Sequence, residues 1–163
     1  MFYAVLFVGS VRCVYGAVPN LLKLRAAIYS PEFREMVQKM TGCAPLTDRI
    51  DCSANVYPRS GHLLCHDDVI GTRCISYIIY LTDPDEAWVA EDGGALELYP
   101  VETAGTPGVV PTTSLLPKWN SMAFFTVAPG KSFHAVQEVF VKVRALGVSQ
   151  IPPPCFISNA GDC

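Results

Sequence analysis

The chain changes its hydrophobic period once, from a helical repeat near its start to an alternating pattern after residue 50. In residues 19–40 apolar side chains recur every three to four positions in two runs, the spacing that gives a helix one apolar face. A Ser-Pro-Glu sequence starting at Ser30 supplies an N-cap, a first-turn proline and an acid for the second run, and a Thr-Gly pair at Thr41 ends it. The pattern predicts two short scaffold helices, over residues 20–29 and 31–40.

Beyond residue 50, short apolar runs with a period of two alternate with turns rich in Gly, Pro and Asp. This pattern predicts strands at 50–57, 62–67, 73–82, 94–99, 113–116, 121–127 and 133–140. Short strands in quick succession are typical of two facing sheets. We therefore predict a mainly β fold, a jelly roll or double-stranded β-helix, with short N-terminal helices. The alternation is lost after residue 140, where a triple proline at 152–154 cannot continue a central strand.

Composition narrows the class of protein. The chain has 163 residues, of which 50% are hydrophobic and 17% are charged, which excludes a disordered tail and a coiled coil and fits one domain. The net charge is −3 without a basic run, so we expect no direct binding to nucleic acid. We divide the chain into an apolar N-terminal extension (1–18), a core (19–140) and a divergent C-terminal tail (141–163).

The N-terminal extension and the cysteines bear on the cellular compartment. A signal peptide is an alternative for residues 1–18, but no positive charge precedes its apolar run and Arg12 comes late. Arg12 also interrupts the segment as a membrane span, so we expect no membrane association. The seven cysteines include no Cys-x-x-Cys pair, which argues against a zinc ribbon and favours reduced thiols in an intracellular protein.

Three side chains suggest a metal site. His66 and Asp68 are two apart in a predicted strand and therefore share a face, and His134 opens a later strand. Two imidazoles and one carboxylate on one side of a metal form the facial triad of non-haem Fe(II) oxygenases, which leaves positions open for a co-substrate and dioxygen. The alternative is a satisfied histidine beside a turn aspartate. A second candidate metal pair is His62 with His66. These two are four residues apart, a spacing that suits a helix rather than the predicted strand.

Longer motifs surround these candidates. They are His62-Leu-Leu-Cys-His-Asp-Asp-Val-Ile-Gly-Thr-Arg-Cys-Ile-Ser-Tyr-Ile-Ile-Tyr80-Leu, Gly93-Gly-Ala-Leu-Glu-Leu-Tyr99, Pro117-Lys-Trp-Asn-Ser-Met-Ala-Phe-Phe-Thr-Val127 and Ser132-Phe-His-Ala-Val-Gln-Glu-Val139. Together they resemble the catalytic domain of prolyl 3-hydroxylases of the Tpa/OGFOD type over roughly residues 17 to 140. The resemblance implies an oxygenase that uses Fe(II), 2-oxoglutarate and dioxygen, with ascorbate, to hydroxylate a prolyl residue of a ribosomal protein in the cytoplasm and nucleus.

The resemblance also implies roles for individual residues. His66, Asp68 and His134 would hold the iron, and Tyr80 would help to hold 2-oxoglutarate. Arg144, ten residues after His134, has an admissible spacing for the arginine that grips the far carboxylate of 2-oxoglutarate through its planar fork. The sequence departs from the family here, because no tryptophan follows Arg144 and the triple proline comes soon after it. The alternative for Arg144 is a charge in a divergent tail.

We therefore expect the catalytic core of a prolyl hydroxylase, truncated at both ends relative to the family. One alternative is a catalytically impaired isoform that acts as a non-enzymatic binding protein. Another is a metal-binding jelly roll of the cupin type with unrelated chemistry, although such sites usually use more than two histidines. We further expect weak 2-oxoglutarate binding, because the final strand of the sandwich has no clear counterpart in the sequence.

Overall fold

The structure is a computed structural model that describes residues 19–140 and 155–162. Its two helices are α1 (Pro19–Ile28) and α2 (Pro31–Thr41). Its strands are β1 (Ile50–Val56), β2 (Leu63–His66), β3 (Arg73–Leu81), β4 (Leu96–Leu98), β5 (Val101–Thr103), β6 (Thr106–Pro107), β7 (Thr113–Leu115), β8 (Ser121–Thr126), β9 (His134–Val136) and β10 (Cys155–Asp162). Among the described residues, a 3-10 turn covers Ala90–Asp92.

Two four-stranded antiparallel sheets carry the fold. The major sheet has the strand order β1-β10-β3-β8, the minor sheet has the order β2-β9-β4-β7, and β5 and β6 form a separate hairpin. This arrangement is the predicted double-stranded β-helix with N-terminal helices, so the predicted fold class is confirmed. The seven predicted strands are all present, most of them one or two residues shorter than expected.

The helices pack against one face of the major sheet. α2 begins where the sequence predicts, with the Ser30 hydroxyl accepting a hydrogen bond from the Phe33 amide at 3.1 Å, and it ends at Gly42, whose left-handed backbone (φ 66°) needs a glycine. Phe33 meets Tyr77 of β3 edge to face, with ring centroids 5.5 Å apart. Ile28 is fully buried against the same ring, so the helices are scaffold for β3.

Strand β3 separates this helix layer from the interior between the sheets. Tyr77, Ile79 and Leu81 belong to the cluster packed on α1 and α2. Because side chains alternate along a strand, Ser76 and Tyr80 lie on the opposite face. Both are buried, and this inner face is where the candidate site is built.

The structure differs from the sequence expectation in the C-terminal tail. β10 lies between β1 and β3 and pairs with both along its length, whereas the sequence predicted no strand after residue 140. Its sequence, Cys-Phe-Ile-Ser-Asn-Ala-Gly-Asp, lacks a period-two alternation. A strand that is held by backbone hydrogen bonds to a neighbour on each side does not need an alternating pattern of side chains. The β5–β6 hairpin was also not predicted. The N-terminal extension, Arg144 and the triple proline lie outside the described residues.

Within the described part of the chain, no helix is long and apolar enough to cross a membrane. The longer helix, α2, has 11 residues, against the roughly 20 that a membrane span requires.

Candidate metal centre

The pairing of β2 with β9 brings two of the predicted ligands together. His66 and His134 are register partners in the minor sheet, and their ring centroids lie 4.3 Å apart. Leu98 of β4 pairs with His134 from the other side. His134 is 4% exposed, whereas the His66 side chain is 34% exposed, so the pair runs from the interior to the surface.

Asp68 completes the cluster from the end of β2. One carboxylate oxygen lies 3.2 Å from Nε2 of His66, and the other lies 3.5 Å from Nε2 of His134. Each of the three residues offers a ligand atom, and these atoms all lie within 4.8 Å of one another. Asp68 has a left-handed backbone (φ 60°), an uncommon conformation that aspartate tolerates better than most residues. The turn after β2 thus directs the carboxylate toward both imidazoles.

Hydrogen bonds to the backbone orient both imidazoles. Nδ1 of His66 lies 2.8 Å from the carbonyl oxygen of Leu64, and Nδ1 of His134 lies 2.8 Å from that of Ser132. A carbonyl only accepts, so each Nδ1 donates its proton, and Nε2 is the atom that a metal would bind in place of any proton that it carries beside Asp68. In metal sites, a bond of this kind fixes the tautomer and the ring orientation of a histidine ligand.

The three groups shift one another's protonation equilibria. Burial alone would raise the pKa of Asp68, but hydrogen bonds from His66 and Ser76 and nearby positive charge outweigh it and hold the pKa well below its usual range. The hydrogen bond to Asp68 raises the pKa of His66. Burial lowers the pKa of His134 and favours the neutral imidazole, which is the form that binds metals.

Two further side chains hold Asp68, and the sequence analysis missed both. The Ser76 hydroxyl donates a hydrogen bond to Oδ2 of Asp68 at 2.6 Å, and a guanidinium nitrogen of Arg73 lies 3.3 Å from Oδ1. Both residues are on β3, so the major sheet supports a ligand that belongs to the minor sheet. The only available signal was the position of Arg73 at the start of a predicted strand beside the histidine–aspartate motif.

Aromatic side chains lie beside the cluster and further along the protein interior. Phe125 of β8 packs against His134, with ring centroids 4.6 Å apart. Tyr80 is 3% exposed and shares a strand face with Ser76, four residues and about 13 Å further along β3. Burial and the neighbouring Tyr57 raise the pKa of Tyr80, so its phenol stays protonated at neutral pH. Tyr57, whose pKa burial raises to about 12, was not singled out by the sequence.

The donor set fits Fe(II). Two imidazole nitrogens and one carboxylate oxygen on one side of a common centre are the ligand types and the geometry of a facial triad. The structure therefore brings together His66, Asp68 and His134 as the sequence predicted. It places Tyr80 on the same inner face but further along the sheet, and Arg144 is not among the described residues.

Comparison with known proteins agrees with this donor set. A family model described as the 2OG-Fe(II) oxygenase superfamily matches residues 52–150. The chain is 54% identical over 134 residues to prolyl 3,4-dihydroxylase OGFOD1 of Ostreococcus tauri, covering 82% of this chain and 26% of that protein. It is 41% identical over 120 residues to prolyl 3-hydroxylase OGFOD1 of Xenopus laevis, covering 74% and 22%. The chain thus spans about a quarter of the length of these curated relatives.

A solved structure shows the same fold. It is a prolyl hydroxylase from Trichoplax adhaerens in complex with a peptide fragment of the hypoxia inducible factor oxygen degradation domain. The TM-score is 0.55 at 19% sequence identity, over 78% of this chain and 51% of that one. At this identity the likeness supports the jelly-roll fold alone.

Proposed function

Because the chain belongs to the 2OG-Fe(II) oxygenase superfamily, we propose that it is a prolyl hydroxylase in which His66, Asp68 and His134 hold the iron. The observation that carries the proposal is the convergence of these three side chains from two strands and a turn onto one centre. Membership of the superfamily implies Fe(II) and 2-oxoglutarate. When bound, they supply the oxidising chemistry that places an oxygen atom of dioxygen on a carbon of the substrate.

The residues of this chain prepare the site for those groups. His134 presents its Nε2 from the interior, and His66 presents its own from the more exposed side. Ser76 and Arg73 fix the carboxylate of Asp68, so that its orientation does not depend on the metal. This arrangement leaves one side of the centre to a co-substrate and dioxygen.

We assign the binding of 2-oxoglutarate to Tyr80 and Arg144. Tyr80 is a buried, protonated phenol on the inner face of β3, and it can donate a hydrogen bond to a carboxylate. Arg144 offers the bidentate grip that a carboxylate favours, and its assignment rests on its spacing from His134.

The proposed substrate is a prolyl residue in a protein, specifically a ribosomal protein, and ascorbate is the proposed reductant that maintains Fe(II). The names of the relatives support the prolyl specificity. The exposed Val69 and Ile70 directly follow Asp68 and offer apolar contacts to a peptide at the mouth of the site. The family resemblance supports the ribosomal substrate.

Succinate release tests this proposal. The full chain is incubated with Fe(II), 2-oxoglutarate and ascorbate, with and without a proline-containing ribosomal peptide, beside the Asp68→Ala variant. We expect peptide-stimulated succinate that Asp68→Ala loses, together with a 16 Da mass gain on the peptide. Metal binding without succinate would instead support the non-enzymatic binding protein.

We also propose that the protein is located in the cytoplasm and nucleus. Cys43 and Cys65 are free thiols, which suits a reducing compartment. Fractionation of cells that express the tagged chain tests this, and recovery in the secreted fraction would contradict it.

A further inference from the structure

Asp67 lies between two proposed iron ligands but points to another part of the chain. Its Oδ2 accepts a hydrogen bond from the Gly130 amide at 3.0 Å, across 63 residues of sequence. Its backbone carbonyl accepts a second bond, at 2.8 Å, from the Ser132 hydroxyl. Asp67 therefore binds the β8–β9 loop twice, once through its side chain and once through its backbone.

This loop leads directly to the third proposed ligand. The Ser132 hydroxyl also accepts the Ala128 amide at 3.1 Å, which closes the turn. The carbonyl of Ser132 accepts the Nδ1 proton of His134 at 2.8 Å. A continuous chain of hydrogen bonds thus runs from Asp67 through Ser132 to the imidazole of His134.

The same side chain also shapes the turn that carries Asp68. Oδ1 of Asp67 accepts the Val69 amide at 3.3 Å, an Asx turn that closes around the residue between them. That residue is Asp68, in its left-handed conformation. One carboxylate therefore contacts the backbone on both sides of the proposed metal centre.

The strands alone hold these ligands weakly. β2 has four residues and β9 has three, and their register shifts between Leu63 and His66. Few ladder hydrogen bonds therefore fix His134 relative to the end of β2. The contacts of Asp67 add long-range constraints at the point where the ladder is shortest.

We propose that Asp67 is a positioning residue that ties the Asp68 turn to the β8–β9 loop and so sets the geometry of the metal site before the metal binds. This inference rests on the proposed function, because it assumes that His66, Asp68 and His134 bind a metal. Asp67 itself does not ligate. Its side chain acts through the Gly130 and Val69 amides, and its backbone carbonyl accepts the Ser132 hydroxyl.

The test compares three variants of the full chain. Asp67→Ala removes both side-chain acceptors, while Asp67→Asn keeps one acceptor oxygen but removes the charge. Asp83→Ala is the matched control, because Oδ1 of Asp83 accepts the Asp85 amide at 2.8 Å in the same kind of exposed turn, away from the centre. Mn(II) affinity is measured by titration, the ligand field by the visible spectrum of the Co(II) form, and the Gly130 amide by hydrogen exchange without metal.

We expect Asp67→Ala to bind Mn(II) about 10- to 100-fold more weakly, the usual cost of losing a group that orients metal ligands. Its Co(II) spectrum should change, and its Gly130 amide should exchange faster. Asp67→Asn, which keeps one of the two acceptor oxygens, should bind Mn(II) with an affinity between those of Asp67→Ala and the wild type, and Asp83→Ala should match the wild type. If Asp67→Ala does not fold, Ser132→Ala serves instead. It removes the hydroxyl bonds to the Asp67 carbonyl and to the Ala128 backbone, and it should likewise weaken Mn(II) binding.

The outcomes separate the two hypotheses. A wild-type chain that binds no Mn(II) would overturn the proposed function together with this inference. Tight binding by the wild type and equally tight binding by Asp67→Ala would overturn the positioning role alone. An Asp67→Asn variant as weak as Asp67→Ala, with a Gly130 amide that exchanges as slowly as in the wild type, would assign the effect to charge and would also overturn that role.

Discussion

His66 and His134 face each other across paired antiparallel strands, with their ring centroids 4.3 Å apart. Asp68 lies within 3.5 Å of Nε2 of both rings. Two imidazoles at this distance repel each other when both are protonated, and the carboxylate between them reduces that repulsion. A divalent cation would satisfy all three groups at once, so the metal should affect the stability of the protein as well as its chemistry.

We first predict that metal binding stabilises the fold. A ligand that binds only the native state at 100 times its dissociation constant adds about 2.7 kcal/mol. Mn(II) should therefore raise the melting temperature of the full chain, and EDTA should reverse the shift. The His134→Ala variant should show no shift. A wild-type melting temperature that does not change when Mn(II) is added would argue against a metal at this centre.

Asp68→Ala should lose metal binding and turnover while it keeps its fold. The carboxylate is half-buried, and three neighbours hold it in place against the cost of desolvation. Since its role is in the site, its removal need not destabilise the metal-free protein strongly. Circular dichroism and a melting curve check the fold, and Mn(II) titration checks the site. Unchanged turnover would mean that the metal binds elsewhere.

The proposed ligands could be predicted from the sequence because their signal is local. His66 and Asp68 are two residues apart, and His134 opens a later strand, but the strand periodicity expected for the pair was wrong, since β2 ends at His66 and Asp68 lies in the left-handed turn that follows. The roles of Ser76, Arg73 and Asp67 could not be predicted, because their partners become neighbours only when the two sheets pack. β10 could not be predicted either, since its pairing with β1 and β3 depends on backbone groups that every sequence has.

Ser76→Ala should weaken metal binding without unfolding the protein. The Ser76 hydroxyl donates the 2.6 Å bond that orients Oδ2 of Asp68, and losing a hydrogen bond to a charged group typically costs about 1.5–3 kcal/mol. We expect a loss of Mn(II) affinity of roughly tenfold, as for other groups that orient metal ligands. Ser114→Ala, on the exposed strand β7, is the control. Equal affinities in the two variants would refute a role for Ser76.

Alanine substitutions at the two phenylalanines of β8 should separate effects on stability from effects on the metal site. Phe125 packs against His134, whereas Phe124, on the opposite face, belongs to the helix-side cluster. Because both rings are only partly buried, either change to alanine should cost somewhat less than the roughly 3–5 kcal/mol of a fully buried phenylalanine. Only Phe125→Ala should also weaken Mn(II) binding. Urea unfolding and metal titration test this, and a matching loss of affinity in Phe124→Ala would show a general effect of destabilisation.

The last prediction concerns 2-oxoglutarate and the inner face of β3. The C-terminal strand β10 occupies the position beside β3, so the open edge that led us to expect weak 2-oxoglutarate binding is covered in the structure. Whether the co-substrate binds then depends on its contacts.

Tyr80→Phe removes one buried hydroxyl with almost no change in volume. If that hydroxyl binds a carboxylate of 2-oxoglutarate, its loss costs about 1.5–3 kcal/mol, or roughly 10- to 100-fold in affinity. Tyr77→Phe is the matched control on the same strand, because Tyr77 faces the helices. Calorimetric titration of the Mn(II)-loaded chain with 2-oxoglutarate should show weaker binding in Tyr80→Phe and none of this loss in Tyr77→Phe. Wild-type affinity in Tyr80→Phe, with a large loss in Arg144→Ala, would assign co-substrate binding to Arg144 instead.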